Sequence, residues 1–218
     1  ASERAAVRAV RHPALQGDAD CDVAIVGGET TTNPDRNLIS IAAIGTVARD
    51  RVVRRRGAQP GDAIFVSGTL GGSDAGHHLD FIPRLDEAAW LVEHFEVHAM
   101  IDVSDGLAGD LRHLLTASGV GAELLQESIP ISREARMKGR AGDAAKPPLL
   151  AALTDGEDFE LLFTVAARNA VPVLDGWKAR FPETPITCIG RIMDRPGLRL
   201  RGINGVREAP AHGYVHFA

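Results

Sequence analysis

Short apolar runs rich in β-branched residues punctuate this chain, separated by glycine-rich turns and by stretches with helical spacing. Residues 22–26 read as a buried strand that ends in Gly27-Gly28. Residues 38–47 read as a longer strand with Ile39, Ile41, Ile44 and Val47 among small residues. A third strand is expected at 63–66, followed by the turn Gly68-Thr69-Leu70-Gly71-Gly72-Ser73 leading into a helix. Pro83 opens another helix (Leu85, Ala88, Ala89, Val92), since proline is tolerated in a first turn. The clearest helix follows Asp105. Leu107, Leu111, Leu114, Leu115 and Ser118 fall at its spacing, and Gly119 stops it. Residues 121–125, 160–165 and 186–192 read as strands, the last two flanking a helix near 167–180. Short helices are expected at 131–138 and 148–153, and a weak alanine-rich one at 3–11. Strands and helices alternate without long runs of either, so the fold class is α/β or α+β.

With 218 residues and 44% hydrophobic content, the chain can bury one large core or two modest ones. The turn Gly57-Ala58-Gln59-Pro60-Gly61-Asp62 is the best domain joint, giving an N-terminal domain over residues 1–58 and a C-terminal domain over residues 59–218. Net charge is −5, and the single basic cluster, at 49–56, is local, so nucleic acid is not an expected partner. No apolar run approaches the ~18–20 residues of a membrane span. No signal-peptide pattern is seen, so the expected location is cytoplasmic. There Cys21 and Cys188 would be buried free thiols. The chain has no P-loop, no complete G-x-G-x-x-G fingerprint, no C-x-x-C pair, no G-x-S-x-G elbow and no H-E-x-x-H.

What remains is oxygen chemistry. Asp102-Val103-Ser104-Asp105-Gly106-Leu107 follows the apolar run Ala99-Met100-Ile101 and opens the helix. Asp102 should end a strand and Asp105 should lie at or near the helix N-cap. Two carboxylates, a hydroxyl and a glycine at such a corner can hold a hard cation against phosphate oxygens. They can also do no more than cap a helix. Gly27-Gly28-Glu29-Thr30-Thr31 offers close backbone approach followed by a carboxylate and hydroxyls, though taken alone it reads as an ordinary turn. Arg54, Arg55 and Arg56 read as a solvated face, yet one guanidinium beside an acidic corner suits bidentate grip of a polyphosphate. Asp155-Gly156-Glu157-Asp158-Phe159-Glu160 packs four carboxylates before the strand Leu161-Leu162-Phe163, so either at least one faces a ligand or the segment is a solvated acidic turn. Tyr214, the only tyrosine, lies between Gly213 and His216-Phe217 as a candidate aromatic wall or a tail pinned to the core.

Taken in order, these segments resemble the thiamine-monophosphate kinases, in the superfamily of aminoimidazole ribonucleotide synthetase and selenophosphate synthetase. The resemblance rests on 26–31, 55–62, 66–71, Pro83-Arg84, 99–107, 156–163 and 213–217. Glu29 stands where the family has Asp, and Asp155 where it has Gly. The family's N-terminal Gly-Asp-Asp and Thr-x-Asp motifs have no counterpart in residues 1–20, which implies an incomplete N-terminal domain in a two-domain fold.

The resemblance implies ATP-dependent phosphorylation of thiamine monophosphate to thiamine diphosphate, with several Mg²⁺ ions. It implies Glu29, Asp102 and Asp105 near metal, and Gly28, Glu29, Arg55 and Ser104 at ATP. Glu157 and Tyr214 would meet thiamine monophosphate, where a carboxylate and an aromatic face suit a cationic heterocycle. It also implies a homodimer joined through the N-terminal strands. The rivals are another ATP-dependent synthetase of the superfamily and a non-catalytic nucleotide-binding remnant.

Overall fold

The computed structural model describes residues 23–33, 36–140, 146–211 and 213, with side chains from residue 45 onward. The helix expected at 3–11, Cys21, and Tyr214 with the rest of the tail lie outside the described residues. Two compact units are formed, Ala1–Val52 and Val53–Ala218.

The first unit contains an antiparallel hairpin of β1 (Val23–Asn33) and β2 (Arg36–Gly45). Gly27-Gly28 does not end β1, contrary to the sequence expectation. The strand runs through the pair, with Gly28 opposite Ile41 and Glu29 opposite Ser40. Register shifts between Ile25 and Gly27, leaving Val26 without a partner in the ladder, and Gly27 resumes the pairing opposite Ala42.

The second unit carries β3 (Ala63–Ser67), α1 (His77–Asp80), α2 (Leu85–His94), β4 (Val97–Asp102) and α3 (Leu107–Ser118). Then come β5 (Gly121–Leu125), α4 (Arg133–Lys138), α5 (Pro148–Thr154), β6 (Leu161–Val165) and α6 (Ala170–Arg180). The chain continues through β7 (Ile186–Met193), β8 (Gly197–Gly202) and β9 (Gly205–Glu208). The sheet order is β4-β6-β3-β7-β5-β8-β9, antiparallel throughout except for the parallel pair β5–β8.

Every residue of β3 is buried because helices cover both sheet faces, which is why its sequence is a continuous apolar run. Ile64 and Val66 point with Leu162 into a core built on Leu107, Leu111 and Leu114 of α3 and Leu153 of α5. Phe65 and Phe163 point the other way, to Leu91 of α2 and Val173 and Trp177 of α6. The rings of Phe65 and Phe163 lie 5.5 Å apart and nearly parallel.

Helix α3 ends as its sequence requires. Gly119 adopts φ 70, and its N–H and that of Val120 close back on Leu115 and Thr116. Helix α2 begins two residues beyond Pro83, with Arg84 as N-cap, so the proline precedes the helix. Ser132 caps α4 by accepting the Ala135 N–H at 3.0 Å, so that helix starts two residues later than its apolar pattern. Cys188 is a free, half-buried thiol whose pKa burial pushes up. No helix among the described residues is long and apolar enough to cross a membrane.

Candidate functional site

Strand β4 ends at Asp102, as its sequence predicts, and the loop 103–106 then turns into α3. This loop is laced to the acidic turn 155–160 by backbone bonds that extend the β4–β6 ladder. Val103 N–H donates to Glu160 O, Phe159 N–H to Val103 O and Glu157 N–H to Ser104 O, each at 2.8 Å. Glycine permits the close approach on both sides. A Cβ on Gly106 (φ 91) would lie 2.6 Å from Asp155 O, and one on Gly156 would lie 2.5 Å from Ser104 O.

The four carboxylates of the turn divide by depth. Asp158 is 1% exposed and accepts the Gly71 N–H at 2.9 Å and the Ser73 hydroxyl at 2.6 Å. Burial nevertheless pushes its carboxyl up to about 7, those donors opposing and Asp155 and Glu160 reinforcing the rise. Glu160, also buried, takes a bidentate pair from Arg84 at 2.7 and 2.8 Å and the Ser67 hydroxyl at 2.5 Å. Asp155 pairs with Lys146, and Glu157 is exposed. Glu157 (φ 66) and Phe159 (φ 51) both hold left-handed backbone, uncommon for such residues and strained for an aromatic. Phe159 stacks on Phe81 with centroids 4.1 Å apart.

The N-cap of α3 is Gly106, which has no side chain to cap with, and Asp105 stands one residue before it. The residue that ties down the helix entrance is Asp110. Its Oδ2 accepts the N–H groups of Ser104 at 3.0 Å and Asp105 at 2.9 Å. Asp110 is 2% exposed, and burial pushes its carboxyl up to about 6 against those donors, with Asp105 and Asp102 adding to the rise.

Two clefts meet at Ser104 and Asp105. One, of about 470 Å³, is lined by Arg55, Asp102, Ser104, Asp105, Asp110 and His113. The other, of about 740 Å³, is lined by Ser104, Asp105, Lys138, Lys146, Glu157 and Phe159, among others. Of the sequence candidates, Arg55, Asp102, Ser104 and Asp105 line the first cleft, and Ser104, Asp105 and Glu157 line the second. Gly28 and Glu29 lie in β1 of the other unit, with their side-chain surroundings outside the described residues. Tyr214 is outside them too, but Gly213 is described: a Cβ there would fall 2.0 Å from Asp105 O. Gly213 therefore lies against Asp105, and Arg112 ties down the preceding segment by donating to Ala209 O and Pro210 O at 3.1 and 2.9 Å.

Among the described residues, no three His, Cys, Asp or Glu side chains are grouped to hold a metal. The sequence reading missed Asp110 and His113, both inside the helical pattern of α3, and Lys138 and Lys146 beside the second cleft. The D-x-x-x-x-D spacing from Asp105 to Asp110 was the available signal for the first of these.

Residues 73–203 match the family described as AIR synthase related protein, C-terminal domain. The chain is 41% identical over 204 residues to the thiamine-monophosphate kinase of Rhodopirellula baltica, covering 93% of this chain and 62% of that protein. It thus spans somewhat less than two thirds of that curated relative's length. The crystal structure of thiamine-monophosphate kinase from Stenotrophomonas maltophilia K279a matches with TM-score 0.62 and 33% identity, over 74% of this chain and 57% of that one. AaThiL complexed with AMPPCP and TMP matches with TM-score 0.56 and 33% identity, over 76% of this chain and 54% of that one. The chain belongs to the AIR synthase related family, with thiamine-monophosphate kinases as its relatives.

Proposed function

We propose that the protein to which this chain belongs transfers the γ-phosphoryl group of ATP to thiamine monophosphate, giving thiamine diphosphate. The observation that carries this reading is the meeting of two clefts at Ser104 and Asp105. A donor and an acceptor seated one in each would bring their phosphates together at that corner. The 33% identity to AaThiL, whose complex holds AMPPCP and TMP, supports the same assignment.

On this reading Arg55, exposed at the mouth of the smaller cleft, grips the nucleotide's polyphosphate, and Ser104 offers a hydroxyl beside it. Glu157, held outward by its left-handed backbone, meets the cationic end of the acceptor in the larger cleft. Tyr214, one residue beyond Gly213 in the sequence, is the candidate for an aromatic face at the acceptor. No general base is required, because the acceptor is a phosphate oxygen already ionised at neutral pH. Catalysis is then alignment and charge screening.

The donor set fits Mg²⁺, a hard cation commonly held by one or two carboxylates plus substrate phosphates. Asp102 and Asp105 would hold it here, with Glu29 as a further candidate. Bound there, it would neutralise polyphosphate charge.

We also assign a homodimer joined through β1 and β2. A two-stranded sheet is marginal alone, and strands from a second copy would pair its edges. A cytoplasmic location accords with the nucleotide substrate.

Incubation with Mg-ATP and thiamine monophosphate, followed by chromatography for thiamine diphosphate, tests the activity. Nucleotide binding without affinity for thiamine monophosphate would indicate a synthetase of other specificity. Binding of both without turnover would indicate a remnant. A monomer of the full-length protein in light scattering would refute the dimer.

A further inference from the structure

The two amides that precede α3 are not offered to the cleft. Both the Ser104 and Asp105 N–H groups are turned inward onto a single oxygen, Asp110 Oδ2, at 3.0 and 2.9 Å. Both lie before the N-cap Gly106, outside the helix's own hydrogen-bond ladder, and a backbone donor so placed must find a side chain, a ligand or water. Here an acidic residue in the first turn of α3 folds back and consumes them, and the Gly106 carbonyl accepts the Asp110 N–H at 3.1 Å. The loop is thereby closed on itself around one buried carboxylate, on the wall of the cleft that Asp102 and Asp105 line.

We propose that Asp110 is the positioning residue of this site: by holding both amides it fixes the loop from which Ser104 and Asp105 are aimed at the phosphates. This rests on the phosphoryl-transfer reading for its consequence, but not for its geometry. The opposite side of the loop is already fixed by the backbone bonds to Glu157, Phe159 and Glu160. Asp110 supplies the remaining restraint, so that the loop is held from both sides. Its carboxylate touches neither nucleotide nor acceptor in this role.

Two variants separate positioning from charge. Asp110→Asn keeps an amide oxygen able to accept the same two N–H groups and removes the charge. Asp110→Ala removes the acceptor as well. Hydrogen exchange should show the Ser104 and Asp105 amides protected in the wild type, protected in Asp110→Asn, and exchanging at least about tenfold faster in Asp110→Ala. Turnover should fall on the order of 100-fold in Asp110→Ala, the loss that a misplacement of about 1 Å brings, with KM for thiamine monophosphate nearly unchanged. Asp110→Asn should restore it to within about threefold of wild type.

An Asp110→Asn enzyme as impaired as Asp110→Ala would overturn the proposal in favour of a charge role, as would an alanine variant of full activity. If Asp110→Ala does not fold, wild-type exchange and the asparagine variant decide. Rapid exchange of those two amides in the wild type refutes the anchor outright. Wild-type protein that makes no thiamine diphosphate removes the functional reading while the exchange result still judges the anchor.

Discussion

Asp158 should make this protein lose stability as pH rises toward neutrality, and one substitution should remove the loss. The carboxyl is 1% exposed and titrates at about 7 rather than at its ordinary 3.8. Between those two pH values the native state holds a proton that the unfolded chain has given up. The unfolding free energy therefore falls with rising pH through that window and is flat above it. A displacement of about three pH units, at about 1.4 kcal/mol each, amounts to roughly 4 kcal/mol. In Asp158→Asn the side chain is always neutral, and its oxygen can still accept from the Gly71 N–H or the Ser73 hydroxyl. Urea unfolding of both proteins at half-unit steps from pH 4 to pH 8 isolates the effect, because every other titrating group is common to the pair. The stability difference, variant minus wild type, should grow by about 1.4 kcal/mol per pH unit and level off above pH 7. Asp110 is present in both proteins and cancels. A difference independent of pH would refute the reasoning. A difference that falls with pH would show that the Ser73 and Gly71 donors outweigh burial and that Asp158 is an ionised anchor.

Three further outcomes follow from the geometry. Asp105→Asn should leave the melting temperature nearly unchanged while phosphoryl transfer, followed by thiamine diphosphate formation, is largely lost; a stable variant with wild-type turnover would count against the metal corner. Arg84→Met leaves the buried Glu160 carboxylate with the Ser67 hydroxyl but without its bidentate partner, so chemical denaturation should show a loss of about 3–5 kcal/mol. Tyr214→Ala should raise KM for thiamine monophosphate much more than KM for ATP in steady-state kinetics, and equal changes would remove the tyrosine from the acceptor's surroundings.

The strands and helices that the chain announces are those whose burial is one-sided or complete. In α3, Leu107, Leu111, Leu114 and Leu115 face one core, and Gly119 closes the helix through a conformation glycine adopts freely. Strand β3 is apolar throughout because both of its faces are covered, so period-two alternation was never going to mark it. Strand β8 does alternate, with Leu198 and Leu200 buried and Arg199 and Arg201 outward, yet its hairpin with the fully exposed β9 is short and charged enough to pass for a loop. The β1 glycines mislead for a different reason. Gly-Gly usually marks a turn, and only the pairing with β2 shows that here the strand shifts register at Val26 and continues through both glycines.

The candidate site was legible as a set of loops but not as a division of labour. Composition treats Asp155, Glu157, Asp158 and Glu160 alike, four acids before an apolar strand. Pairing with other elements separates them. Asp158 reaches Gly71 and Ser73, some 85 residues earlier in the chain, and Glu160 reaches Arg84 and Ser67. Neither partner is visible from the local pattern, because the contacts are set by the β3–β6 register. The same holds across the cleft, where Asp102 and Asp105 carry the motif and Asp110 carries the loop. In both places buried carboxylates secure a turn from which the more exposed ones line a cleft. The acidic density that looks excessive for packing is therefore partly packing: about half of it holds the other half in place.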